Sequence, residues 1–101
     1  MDPFKPYQPR PKAGQSLLSA EDADVVAFKA ITFIASDEVL LSRFLDLTGC
    51  VPEKMAARLH DRGYLGAVLD FILGDEATTI AFAKAAGLGP EIPGLARGLL
   101  P

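Results

Sequence analysis

Residues 26–53 align without a gap on residues 64–91, at an offset of 38, and no other feature constrains the fold as strongly. Eight of the 28 aligned positions are identical: Phe33/Phe71, Ile34/Ile72, Asp37/Asp75, Glu38/Glu76, Phe44/Phe82, Gly49/Gly87, Pro52/Pro90 and Glu53/Glu91. A chain of this composition would give about two by accident. The shared residues are those a helical hairpin needs. Phe-Ile closes one helix on the core, and Asp-Glu caps the next and meets its positive dipole end. Phe follows two turns in, Gly ends that helix in a left-handed conformation, and Pro-Glu starts another. The pattern predicts two units packed about an approximate two-fold axis, with the four phenylalanines near the shared centre. Two copies are too few for a solenoid, so a closed bundle is expected.

Helical periodicity continues outside the identical positions. No stretch alternates apolar with polar residues, and no Asn-Gly or Asp-Gly hairpin turn occurs. Ser19, with Asp22 three residues on, predicts a capped helix over Ala20–Ala35 with Ala23, Val26, Ala27, Ala30, Ile31 and Ile34 buried. Ser36 or Asp37 caps a second helix that runs to Thr48. Its apolar set of Leu40, Leu41, Phe44, Leu45 and Leu47 is wider than one core needs. Pro52 opens a third helix, to about His60. Asp61 caps a fourth, which buries Leu65, Val68, Leu69 and Ile72 and ends at Gly74. Asp75 caps a fifth, with Ile80, Phe82, Ala83 and Ala86 inward, as far as Gly87. The last segment, Pro90 to Leu100, is expected to form a turn or two, weakened by Pro93 and Gly94. The expected fold is an all-α compact bundle of five helices plus a short C-terminal helical turn.

Composition supports one domain, 16–101, preceded by a flexible proline-rich tail over residues 1–15. Pro3, Pro6 and Pro9 recur at the turn length of a polyproline II helix, beside Phe4 and Tyr7. The chain carries 10 Lys and Arg against 13 Asp and Glu. Setting aside Asp2, Lys5, Arg10 and Lys12 leaves seven cations and twelve anions in the domain, which disfavours contact with phosphate backbones. The apolar stretch Val25 to Ala35 is too short for a membrane span. With no signal-peptide pattern and one cysteine, the expectation is a cytoplasmic protein without disulfides.

Few residues invite chemistry. Asp37, Glu38, Asp75 and Glu76 form two acidic pairs that hard cations or proton transfer could use, but helix capping accounts for all four. Cys50 follows a glycine turn, where its counterpart Leu88 suggests a small packed hydrophobe. His60 has no nucleophile and acid placed around it by any motif. The segment Phe44–Arg62 is more suggestive, since helix, Gly turn and helix with Lys54, Arg58 and Arg62 resembles a helix-turn-helix reader. Against it stand the acidic domain, Glu53 in the first turn of the second helix, and a second copy that offers only Arg97.

The tandem Phe-Ile-x-x-Asp-Glu…Phe…Gly-x-x-Pro-Glu signature resembles a small bacterial family of uncharacterised all-helical proteins, a domain of unknown function. The likeness spans roughly residues 20 to 100. The family often places Asp before each Pro-Glu; here Val51 and Gly89 stand there. The resemblance implies an all-helical fold and brings no activity, substrate or catalytic residue. The expectation is therefore a protein that is not an enzyme, has no cofactor and uses no small-molecule substrate. It is read instead as a protein–protein interaction module, with a homodimer as one form. Val39, Leu47, Leu95, Leu99 and Leu100 fit poorly on single buried stripes and are the expected interaction surface. Nucleic-acid binding through Lys54, Arg58 and Arg62 is the alternative.

Overall fold

The computed structural model describes residues 18–101, and among them it contains six helices and no strand. The expected tail, 1–15, lies outside the described residues. Helix α1 (Ala20–Ala35) begins on a reciprocal cap: Ser19 Oγ accepts from the Asp22 amide, and the Asp22 carboxylate accepts from the Ser19 amide. Helix α2 (Glu38–Thr48) begins at Asp37, whose Oδ1 accepts from the amides of Val39 and Leu40. Ser36 belongs instead to the end of α1, where its hydroxyl donates to the Phe33 carbonyl.

A short α3 (Pro52–Met55) passes into a 3-10 turn over Ala56–His60. Asp61 then caps α4 (Arg62–Leu73), and Asp75 caps α5 (Glu76–Ala86). The chain closes with α6 (Ile92–Gly98). Gly49 and Gly87, at φ 68° and 71°, end α2 and α5 in the left-handed region where a side chain is strained.

The centre is the α1–α4 pair. Helix α2 packs on α1, α5 packs on both α4 and α1, and α6 lies across α1 and α4 together. Ala23, Val26, Ala27, Ala30 and Ile34 of α1 face Leu65, Val68, Leu69 and Ile72 of α4, all buried. Small residues on α1 let the two axes approach, and branched residues on α4 fill the space. Phe44 and Phe82, fully buried, enter from α2 and α5. Phe33 meets Phe82 at 5.6 Å between ring centroids and Phe44 meets Phe71 at 5.4 Å, both tilted or edge-on, the arrangement aromatic quadrupoles favour. Under the offset of 38, each of these contacts is the image of the other.

Three expectations change. The third helix does not stay α-helical to His60, because Met55 and Leu59 are its only half-buried apolar contacts and nothing holds the longer form. Ile80 is exposed rather than buried: α5 turns Phe82, Ala83 and Ala86 inward together with Thr79, whose hydroxyl donates to the Ile72 carbonyl at 2.8 Å. Leu100 leaves the expected interaction surface, because the end of α6 folds over α1 and α4 and buries it to 7% exposure.

Candidate functional site

Two surfaces remain for function once the core is assigned. The first is the outer face of α2. Val39, Arg43 and Leu47 recur every four residues and so share one side of the helix. Leu47 and Val39, at 75% and 66%, are the most exposed large apolar residues among those described. Inward of them lies an open groove of about 270 Å³, where Leu40, Arg43 and Leu47 face Phe71, Asp75 and Thr78 of the α4–α5 corner. Leu95 and Leu99, at 38% and 42%, are also exposed, but on α6. The expected surface is thus split between two helices.

The second is a cleft of about 370 Å³ where the end of α2 meets α4, lined by Thr48, Cys50, Arg58, Asp61 and Tyr64, with Leu47 at its edge. Local rules build it. Gly49 reverses the chain after α2, Thr48 Oγ1 accepts from the Cys50 amide at 3.3 Å, and the Cys50 thiol points to the Val51 carbonyl at 3.5 Å. Arg58, carried by the 3-10 turn, stands over the Tyr64 ring with its guanidinium carbon 5.0 Å from the centroid. Its second partner, Asp61, is 3.7 Å away and half exposed, a weak pair.

Tyr64 is the unusual member. The residue is 4% exposed and its hydroxyl is buried without a hydrogen-bond partner. Burial pushes its pKa up to about 12, the neighbouring Cys50 adds to that, and Arg58 opposes it. Its counterpart under the offset is Val26, so the detectable signal was one hydroxyl in an otherwise aliphatic stripe.

The remaining candidates disperse. Asp37 and Asp75 are consumed by capping, while Glu38 and Glu76 lie exposed in the first turns. His60 is exposed at the end of the 3-10 turn. Among the described residues, no group of three or more His, Cys, Asp and Glu is placed to hold a metal ion. Of the helix-turn-helix cations, Lys54 is exposed on a four-residue helix. Arg58 lies on Tyr64, and Arg62 bonds Asp24 and the Ala20 carbonyl, both at 3.1 Å. Those three cations therefore share no continuous recognition helix.

No helix among the described residues is long and apolar enough to cross a membrane. No curated protein and no solved structure matches the chain. Residues 20–101, nearly all of the described fold, match the family described as a protein of unknown function (DUF3572), and the chain belongs to that family.

Proposed function

We propose that the protein is a non-catalytic protein–protein interaction module that docks a partner on the outer face of α2. The carrying observation is the Val39–Arg43–Leu47 row, two exposed apolar side chains bracketing a cation. Such a row fits a helix presenting an acidic residue between two apolar ones, because the apolar ends gain burial and Arg43 meets opposite charge. The matching row on α5, Ala77, Ala81 and Ala85, offers neither large side chains nor charge. We read the two halves as a duplication, supported by the paired aspartate caps, glycine ends and exchanged phenylalanine contacts. On that reading, function follows the surface where the halves differ. The lone cysteine, which leaves no internal disulfide, favours the cytoplasm as its setting. The nucleic-acid alternative has less support, since Arg58 and Arg62 already have intramolecular partners.

Isolation of bound proteins from the native host, with wild type, Leu47→Glu and Ala85→Glu as parallel baits, tests the proposal. A partner held by wild type and Ala85→Glu but lost by Leu47→Glu is the expected result. Identical bound sets for all three baits would overturn it. Light scattering on the same proteins identifies the case in which the occupant is a second copy of the chain.

A further inference from the structure

Burying a hydroxyl without a well-formed hydrogen bond destabilises the fold, a loss that phenylalanine would avoid at position 64. The Tyr64 hydroxyl is buried with no well-formed hydrogen bond, and its interacting neighbour is the Cys50 side chain, the chain's one thiol, in a cleft that Arg58 also lines. A hydroxyl so placed is a donor awaiting an acceptor. Thr48 Oγ1 is engaged with the Phe44 carbonyl and the Cys50 amide, and Asp61 Oδ1 with the amides of Gly63 and Tyr64, which leaves the Cys50 sulfur, a weak acceptor, as the neighbour of that donor. Because the two side chains already interact, an oxygen atom added to Cys50 Sγ lies within reach of that donor.

We propose that Cys50 is a modification site, oxidised by hydroperoxides to a sulfenic acid whose oxygen takes from Tyr64 a stronger hydrogen bond than the thiol sulfur can. In the step, the Cys50 sulfur attacks one oxygen of ROOH, the S–O bond forms and the O–O bond breaks. The departing RO⁻ takes up the proton released from the thiol, so that Cys50–SH and ROOH give Cys50–SOH and ROH. Sulfur loses two electrons and the peroxide gains them. The Tyr64 hydroxyl anchors the new oxygen. Because the chain has one cysteine, no internal thiol can condense with the product, and the sulfenic acid persists until an outside thiol arrives.

The test uses the full-length reduced protein treated with hydrogen peroxide, trapped with dimedone at successive times and read by intact mass. A single adduct is expected, absent in Cys50→Ser. The trappable species should outlast that of the same chain unfolded in urea by up to about tenfold, the scale of one net hydrogen bond. Tyr64→Phe, which removes the orphaned hydroxyl and leaves the ring, should shorten the lifetime in the folded protein by a similar factor. No adduct, or equal lifetimes in the folded and unfolded chains, would overturn the proposal. So would a folded Tyr64→Phe with the wild-type lifetime, which would leave the hydroxyl solvated by a buried water and unrelated to the thiol. The comparison of folded with unfolded wild type needs no variant, so the outcome does not depend on how Tyr64→Phe folds.

Discussion

Two segments of this chain start alike and end differently. Pro52-Glu53 and Pro90-Glu91 occupy equivalent positions, each just beyond a glycine that ends a helix. The segment after Pro90 becomes α6, lies across both central helices, and buries Pro93, Ala96 and Leu100. The segment after Pro52 buries no residue, changes to a 3-10 turn, and stays on the periphery against α4. The difference arises from the surfaces offered to each. At the α4 position facing the end of α6 stands Gly66, where a methyl group would lie 2.8 Å from the Pro101 carbonyl oxygen. The equivalent α1 position is Phe28, which carries a large side chain and stays 41% exposed, with no third segment docked over it. Likewise Ala96, fully buried, has Arg58 as its counterpart. One third element therefore completes the core, while the other is left free to wall a cleft.

The sharpest way to break this contrast is to exchange residue character between the two segments. Ala96→Arg installs the counterpart's side chain at a fully buried position and should cost about 4 kcal/mol or more, an unpaired charge in an apolar core. Arg58→Ala, in the peripheral segment, should cost under about 1 kcal/mol, since the pairs it loses are solvent-exposed. Urea denaturation of the two variants measures both. Gly66→Ala is the next effect. In an open helix it would stabilise by about 1 kcal/mol. Here the added methyl meets backbone, and the expected result is a net loss of about 1–3 kcal/mol with weakened docking of α6.

Modest effects, of about the size expected for Arg58→Ala, lie where the two halves agree. Asp37→Ala should cost about 1 kcal/mol through its lost cap. The matching Asp75 adds a pH signature. Hydrogen bonds from the Thr78 hydroxyl and amide hold its carboxyl below the ordinary 3.8. A depressed folded pKa means its stabilisation is complete above pH 3.8 and is lost as pH falls through the lower folded value. Melting temperature followed down to about pH 2 should therefore fall more steeply in wild type than in Asp75→Asn.

What could be read from residues alone tracks how local its cause is. The limits of α1, α2, α4 and α5 were legible because each is set by a side chain within a few residues, as in the Ser19–Asp22 cap or Gly49. The core stripes of α1 and α4 followed from period. Ile80 was misread because α5 has apolar residues on more than one side, and only the pull of Thr79 toward Ile72 fixes its rotation. Leu100 looked surplus for a similar reason, since its burial depends on a surface contributed by α1 and α4. On the candidate site, Val39 and Leu47 were visible as excess apolar residues. The Cys50–Tyr64 cleft was not, because it joins residues whose proximity is created by the Gly49 reversal and the 3-10 turn.

Residues alone specify an all-helical chain whose α2 and α5 share an aspartate cap and a glycine end. Those signals act over one helical turn, through hydrogen bonds between a side chain and nearby backbone. The tertiary structure alone decided which third segment would enter the core and which would remain outside. That choice depends on close packing between residues far apart in the chain, as where Gly66 of α4 makes room for the Pro101 carbonyl.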